Sequence, residues 1–143
     1  MDGLPTDVIL AVVQCVGRIC LARRSQAVAT SRGLWSVVTG YVERGVDPLR
    51  QAWAEVQEEL GLAPPRLRLR RWLPPVSLTS PASGKRFRVY PFLFECDSAA
   101  ETVLNWEHTH LAWVEPARLA EPDCVPWQRE LVLALLEESH PFG

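Results

Sequence analysis

The segment that most constrains the fold runs from Asp47 to Gly61, because it carries both a helix start and a helix stop. Asp47 can cap a helix with its carboxylate, and Pro48 suits the first helical position. Gly61 supplies the left-handed residue that commonly ends a helix. Between these signals the apolar residues recur at helical spacing, at Leu49, Ala52, Trp53, Val56 and Leu60. The pattern therefore predicts a helix over Pro48–Leu60 with one buried face.

The other elements are predicted from shorter patterns. Runs of β-branched or alternating apolar residues predict strands at residues 8–16, Arg18–Arg24, 34–42, 66–73, 86–95 and 111–114. Polar or Pro/Gly-rich stretches predict loops at residues 25–33, 74–84 and 97–110. Pro91 lies inside a predicted strand, which indicates an edge or a bulge there.

A second helix is predicted over residues 127–138, with Leu131, Ala134 and Leu135 facing inward. The chain thus alternates strands, helix, strands and helix. That order predicts an α/β (α+β) fold in which a mixed sheet is packed between helices.

The length of 143 residues favours one compact domain over residues 1–143. The net charge of −2 gives no global signal for a nucleic acid polymer or a membrane surface, so an anion site must be local. The apolar run at residues 8–16 follows Asp2 and Asp7 and is too short to span a bilayer. A cytoplasmic protein without a signal peptide is therefore expected.

None of the cysteines forms a CxxC pair or has zinc-like spacing with a histidine. Burial as small apolar residues is therefore expected for most of the set, which is Cys15, Cys20, Cys96 and Cys124.

Three glutamates, Glu55, Glu58 and Glu59, are spaced so that they share one face of the first helix, opposite its apolar stripe. At roughly 6 Å, each like-charge pair costs about 1–3 kcal/mol, and a divalent cation reverses the sign of that contribution. Mg²⁺ prefers carboxylate oxygens and commonly bridges them to phosphates. Alone, however, such a trio is more often a solvated acidic face.

The surrounding residues favour the metal interpretation. The stretch GYVERGVDPLRQAWAEVQEELGL, from Gly40 to Leu62, resembles the Nudix box, G-x5-E-x7-R-E-U-x-E-E-x-G-U with U aliphatic. The pattern's positions are matched at Gly40, Glu55, Val56, Glu58, Glu59, Gly61 and Leu62. Two positions depart from it, since the first glutamate is replaced by Val46 and the arginine by Ala54.

The two departures affect the loop more than the glutamate trio. In the Nudix family, the first glutamate and the arginine are thought to help hold the loop against the helix. Losing both charges together can be nearly neutral, whereas losing one leaves its partner uncompensated. We hypothesise that Val46 and Ala54 close the loop through a small apolar contact instead.

A second block, NWEHTHLAW from Asn105 to Trp113, looks like the later Nudix segment in which a loop glutamate precedes a strand with a tryptophan. The resemblance implies that Glu107 is a further metal ligand or the base that activates water. A solvated loop carboxylate is an equally open interpretation.

Arginines are the remaining candidates, because a phosphoanhydride hydrolase needs positive charge beside the metal. At least one of a larger set is expected to contact phosphate, although each singly resembles a solvated surface residue. The candidates are Arg23, Arg24, Arg68, Arg86 and Arg88. Trp35, Tyr41 and Phe92 can stack on a base, but core packing is the expected role of each.

The Nudix resemblance implies a mixed sheet between helices and a Mg²⁺-dependent hydrolase, with Mn²⁺ as the alternative ion. Its substrate would be a nucleoside diphosphate linked to another moiety, or a nucleoside triphosphate derivative. Glu58 and Glu59 would be the main metal ligands, Glu55 would bind a second ion or orient the ligands, and Glu107 or Glu55 would accept the proton of water.

Two other interpretations remain open at this point. One is a degenerate module that binds a nucleotide or a protein partner without hydrolysis, and the other is a structural protein with an acidic helix. Family relatives often form dimers, and six tryptophans leave apolar area for a homodimer interface.

Overall fold

The predicted first helix, α1, spans Pro48–Leu60 in the computed structural model, which describes residues 4–25, 33–81, 83–97, 108–118, 124–125 and 127–137. The Asp47 carboxylate accepts hydrogen bonds from the backbone N–H groups of Leu49 and Arg50, at 3.0 and 3.4 Å. Gly61 ends the helix in the left-handed conformation, with φ of 73°. The start and stop signals in the sequence are therefore confirmed.

Eight strands accompany this helix in the described residues. They are β1 (Thr6–Cys15), β2 (Arg18–Arg24), β3 (Trp35–Ser36), β4 (Val38–Tyr41), β5 (Leu67–Trp72), β6 (Val76–Thr79), β7 (Arg86–Cys96) and β8 (His108–Val114). A 3₁₀ turn at Pro116–Arg118 and a second helix, α2 (Gln128–Leu136), follow β8.

The strands form one mixed sheet with β1 and β7 at its centre. The order is β3-β2-β1-β7-β5, and β4, β6 and β8 pair with β1, β7 and β2 respectively. β1 and β7 run parallel, from Thr6 opposite Phe87 to Cys15 opposite Cys96, while the other pairs are antiparallel.

Side chains of β1 alternate between two hydrophobic cores, one on each face of the sheet. Ile9, Ala11 and Val13 pack in the same core as the buried side of α1. Leu10 and Val12 belong to the opposite core, which includes Val132 and Leu135 of α2. The predicted fold class, a mixed sheet between helices, is therefore confirmed.

Some predicted boundaries and contacts were wrong. The stretch at residues 74–84 is not all loop, because Val76–Thr79 pairs with β7 as β6. The strand predicted at residues 34–42 is divided into β3 and β4. In α2, Ala134 is exposed and Val132 is buried in its place.

Pro91 lies in an interior strand rather than at an edge. Its carbonyl accepts a hydrogen bond from the Leu73 N–H at 3.2 Å, in the connection between β5 and β6. In an extended strand, the backbone N–H and C=O of one residue point towards the same neighbouring strand. The position of the missing N–H of Pro91 therefore lies where the strand paired with β7 changes from β5 to β6. The change of neighbour explains why a central strand tolerates a proline.

None of the four cysteines forms a disulfide, and Cys15, Cys20 and Cys96 are buried, as expected for small apolar residues. Among the described residues, no helix is both long enough and apolar enough to cross a membrane.

Candidate active site

A cavity of about 520 Å³ opens between β4, the second half of α1 and the hairpin formed by β6 and β7. Glu43, Glu55 and Glu58 line one side of it, and Arg24 also contributes to its wall. Apolar and aromatic residues, including Tyr41, Leu78, Phe87 and Trp127, line much of the rest, together with a few hydroxyl and amide side chains. One space therefore combines carboxylates, a guanidinium and aromatic rings.

The glutamate trio is divided rather than gathered on one open face. Glu55 is half-buried and Glu58 is exposed, and both line the cavity. Glu59 has an exposed fraction of only 3% and faces a separate small void beside Cys20 and Ser36. Successive helical residues are about 100° apart, so Glu59 turns towards the sheet while Glu58 faces the cavity. The prediction that all three lie opposite the buried face was wrong for Glu59.

The buried environment of Glu59 also affects a thiol. Burial raises the pKa of the Cys20 thiol from 9.0 to about 12, and the neighbouring Cys96 and Glu59 side chains add to the increase. Cys20 therefore stays protonated at neutral pH and behaves as a core residue.

Gly40, the first residue of the Nudix-like stretch, is in close contact with Glu55. A Cβ atom at position 40 would come within 2.7 Å of both Cγ and Oε2 of Glu55. A residue with a side chain fits at position 40 only if the Glu55 carboxylate moves. This steric conflict explains why position 40 is a glycine.

Gln51 joins the loop after β4 to the same carboxylate. Its Nε2 donates to Oε2 of Glu55 at 3.0 Å, and its Oε1 accepts from the backbone N–H of Glu43, also at 3.0 Å. The Gln51 side chain is buried, whereas Ala54 is exposed. The hypothesis that Val46 and Ala54 close the loop by an apolar contact stays a prediction, and this polar connection joins the loop to α1 independently of it.

Gln51 was not predicted as a site residue, although the sequence carries a signal for it. Gln51 and Glu55 lie four residues apart on α1, the spacing at which helical side chains meet. A glutamine beside the apolar stripe, four residues before a candidate ligand, was the available clue.

Of the five candidate phosphate-binding arginines, Arg24 lines the cavity. Arg23 donates through Nε to the carbonyl of Gly33 at 3.0 Å. Arg86 is exposed at the start of β7, opposite Thr79 of β6.

The other two arginines form surface ion pairs away from the cavity wall. Arg68 contacts Oδ1 of Asp97 at 2.9 Å, and the hydrogen bond and charge of Asp97 raise the pKa of Arg68 above its ordinary value. Arg88 contacts Oδ1 of Asp7 at 2.9 Å. The structure thus brings only Arg24 of the candidate set to the cavity among the described residues.

The aromatic side of the cavity differs from the expectation. Phe92 and Trp35 pack in or against the cores, as predicted, but Tyr41 is 61% exposed and lines the cavity. Phe87 and Trp127 line it as well, and nothing in their sequence context distinguished them from core residues.

A lysine that was not among the predicted site residues lies near two of these rings. The Lys85 ammonium is 5.7 Å from the Tyr41 ring centroid and 5.4 Å from the Phe87 centroid. This places a positive charge near the aromatic wall of the cavity. Glu107, the predicted loop glutamate, lies outside the described residues.

The donor chemistry at the cavity fits Mg²⁺. Within the described residues, no three His, Cys, Asp or Glu side chains converge closely enough to enclose a metal ion. Mg²⁺ does not require such a cage, because proteins commonly bind it through one or two carboxylates while water and substrate phosphates complete the octahedron. Glu55 and Glu58, one helical turn apart on the cavity wall, provide that pair.

Comparison with known proteins identifies the family. The family model described as NUDIX domain matches residues 3–135 of the chain. The chain belongs to the NUDIX family. Its membership extends over nearly the whole sequence despite the two departures in its Nudix box.

Solved structures of NUDIX relatives share the fold at low sequence identity. The MutT protein from Methanosarcina mazei Go1 is 20% identical with a TM-score of 0.75, covering 94% of this chain and 95% of its own. The E. coli ORF135 protein is 20% identical with a TM-score of 0.74, covering 100% and 99%. The C. elegans Ap4A hydrolase in a binary complex is 20% identical with a TM-score of 0.72, covering 90% and 93%. No curated protein matches the sequence significantly.

Proposed function

We propose that this NUDIX hydrolase is a Mg²⁺-dependent enzyme whose substrate is a nucleoside diphosphate linked to another moiety, or a nucleoside triphosphate derivative. Water would attack a phosphorus atom and break a phosphoanhydride bond. The observation that carries the proposal is the cavity of about 520 Å³ in which Glu55 and Glu58 share one space with aromatic rings. Its volume is within the range of small-ligand sites.

The two sides of the cavity suit the two parts of such a substrate. Trp127 and Phe87 present rings to the cavity, and flat aromatic surfaces are suitable for stacking on a nucleobase. Glu55 and Glu58 lie on the carboxylate side, where the pyrophosphate would be placed. Arg24 adds a guanidinium, which matches phosphate oxygens in geometry and charge. The name of the C. elegans Ap4A hydrolase describes a nucleotide substrate, which agrees with this class.

Glu55 and Glu58 would hold the Mg²⁺, with the buried Glu59 as a third proposed ligand. When bound, the metal neutralises charge on the phosphates and lowers the pKa of water. Glu55 or Glu107 would accept the proton of the attacking water, since both carboxylates belong to the predicted catalytic set. Arg24 would hold the phosphate group, and the rings would orient the base.

Three further proposals concern the chain as a whole. Residues 1–143 form a single domain, consistent with the family match over residues 3–135. Its partners are small nucleotides rather than nucleic acid polymers or membranes. It works in the cytoplasm, where a reducing environment suits four cysteines that form no disulfide.

The experiment is a panel of dinucleoside polyphosphates, nucleoside diphosphate sugars and nucleoside triphosphates, assayed with Mg²⁺, with Mn²⁺ and with excess EDTA. We expect metal-dependent release of a nucleoside monophosphate or diphosphate from at least one class. Nucleotides that raise the Tm without being hydrolysed under any metal condition would instead indicate the non-hydrolytic binding module. A panel that produces neither hydrolysis nor a Tm change would contradict both.

A further inference from the structure

Gln51 is a polar residue that is almost fully buried, at 4% exposed, on the first turns of α1. A buried amide is costly unless its groups are hydrogen-bonded. Both ends of this amide are satisfied, because Oε1 accepts from Glu43 N–H and Nε2 donates to Glu55 Oε2, each at 3.0 Å. The two bonds point in different directions and connect two different parts of the site.

The first bond anchors the loop and the second orients a carboxylate. Glu43 belongs to the loop between β4 and α1, and both its side chain and that of Glu55 line the cavity. Gly40 restricts Glu55 from another direction, since an added Cβ there would overlap its side chain. The Glu55 carboxylate is therefore held between a hydrogen-bond donor and a closely approaching backbone.

We propose that Gln51 is the positioning residue of this site: it fixes the Glu55 carboxylate and ties the loop after β4 to α1. It thereby supplies the loop connection that the charges absent at Val46 and Ala54 cannot make. This inference rests on the proposed function only in assigning Glu55 to the metal and water site. Gln51 itself touches neither substrate nor metal, and it acts through Glu55.

A glutamate side chain has three rotatable bonds, so without a partner its carboxylate samples many positions. A hydrogen-bonded neighbour that orients a metal-binding carboxylate typically changes metal affinity or activity by about 10–100-fold when it is removed. Removal of the Gln51 amide should therefore lower kcat and weaken Mg²⁺ binding. The KM for nucleotide should change much less, because the aromatic wall is not altered.

The test compares Gln51→Leu with Gln57→Leu. Both substitutions remove the same amide from α1, but Gln57 is exposed and is not among the residues that line the cavity. For Gln51→Leu we expect kcat to fall about 10–100-fold. We also expect a similar increase in the Mg²⁺ concentration that gives half of the metal-induced rise in Tm, measured without substrate. Gln57→Leu should match the parent in both quantities, and equal behaviour of the two variants would overturn the proposal.

Rescue separates positioning from a merely structural role. Adding Val46→Glu and Ala54→Arg to Gln51→Leu restores the two charges of the Nudix pattern. We expect this triple variant to recover at least about a tenth of the parent kcat, on the scale of the loss above. A triple variant that regains Tm but neither kcat nor Mg²⁺ affinity would show that Gln51 only stabilises the fold.

A measurement on the unaltered protein keeps the proposal testable if Gln51→Leu does not fold. In a ¹⁵N-labelled sample without substrate, Mg²⁺ should shift the side-chain amide resonance of Gln51 and leave that of Gln57 in place. An unshifted Gln51 amide in a sample whose Tm responds to Mg²⁺ would overturn the inference while leaving the proposed function intact. A parent protein without activity or metal response would contradict the proposed function itself.

Discussion

Gly40 and Glu55 approach so closely that a side chain at position 40 and the observed carboxylate position exclude each other. The two residues come from β4 and α1, consecutive elements that pack against each other at the edge of the cavity. A glycine usually destabilises a strand, because it has no side chain to pack and loses more backbone entropy on folding than other residues do. At Gly40 that disadvantage is offset by the room it gives to a functional carboxylate.

The first prediction concerns Gly40→Ala. The added methyl group displaces the flexible end of Glu55, so we expect turnover to fall at least ~10-fold. Stability should change little, since alanine restricts the unfolded chain by about 0.4–1 kcal/mol and offsets part of the steric cost. The measurements are kcat and the Tm of the same preparation.

Gly17→Ala is the matched control for that variant. Gly17 has φ of 79° and no atom within 4 Å of an added Cβ. Alanine there should cost about 1–2 kcal/mol through backbone strain while leaving turnover unchanged. An active Gly40→Ala variant together with an inactive Gly17→Ala variant would contradict a steric role for Gly40.

The second prediction concerns the glutamates of α1. We expect Glu55→Gln, Glu58→Gln and Glu59→Gln each to reduce turnover of a good substrate at least ~100-fold, because each removes a proposed ligand charge. Glu130→Gln, an exposed change in the first turn of α2, should retain parent turnover. Near-parent turnover in both Glu55→Gln and Glu58→Gln would remove the proposed metal site from the cavity.

The third prediction separates Arg24 from the arginines in surface ion pairs. Arg24→Gln should raise the KM at least ~10-fold, as expected for loss of a hydrogen bond to a charged phosphate. Arg68→Gln should change KM less than about threefold and stability by less than about 1 kcal/mol, because its pair with Asp97 is exposed. Steady-state kinetics gives the KM of both variants. A larger increase in KM for Arg68→Gln than for Arg24→Gln would mean that Arg24 does not bind the phosphate.

The fourth prediction concerns Trp127 as a surface for the base. Trp127→Leu should raise the KM for the preferred nucleotide about 10-fold, the scale of one lost stacking contact. The metal-induced rise in Tm should be unchanged. Trp72→Leu is the control, because Trp72 is 63% exposed on β5 and is not among the residues lining the cavity. Equal KM values for the two variants would exclude stacking on Trp127.

The fifth prediction follows from the raised pKa of Cys20. Since the thiolate is the nucleophile and the pKa is about 12, iodoacetamide at pH 8 should leave Cys20 unmodified in the folded protein. The partly buried Cys124 should react first. Peptide mass spectrometry after alkylation gives the order directly.

The same pKa has a consequence for stability. The folded state holds the Cys20 proton more tightly than the unfolded chain, so the stabilisation is complete below pH 9.0 and is lost as the pH rises towards 12. A Cys20→Ala variant should show a smaller fall in Tm over that range. An identical fall in both proteins would mean that Cys20 is not the group that titrates.

The sequence predicted the parts of this fold that local chemistry determines. The bounds of α1 follow from Asp47, Pro48 and Gly61, and the structure has the same bounds. β6 was missed because Val76–Thr79 follows two prolines and precedes a Ser/Gly-rich turn, and only pairing with β7 makes it a strand. A strand of four residues between turn-forming segments leaves too short a local pattern to be recognised.

The candidate site shows the same division. The spacing of Glu55 and Glu58 could be read along one helix, and both line the cavity. The burial of Glu59 could not be predicted from the sequence, because it depends on how α1 is rotated against β2 and β4. Only the packed core determines that rotation. Ion pairs such as that of Arg88 with Asp7 likewise depend on the parallel register of β1 and β7.

The change of paired strand at Pro91, from β6 to β5, divides β7 into two parts with different roles. Beyond it, towards Cys96, β7 pairs with β5, which contributes Leu67 to the core. Before it, β7 pairs with β6, and this hairpin contributes Leu78, Thr79, Phe87 and Val89 to the cavity wall. Substitutions or length changes in the turn of the β6–β7 hairpin can therefore alter which substrate fits, as long as Val89, which is buried in the core on the α2 side of the sheet, is kept. This makes the hairpin the natural segment to exchange in order to transfer specificity between enzymes of this fold.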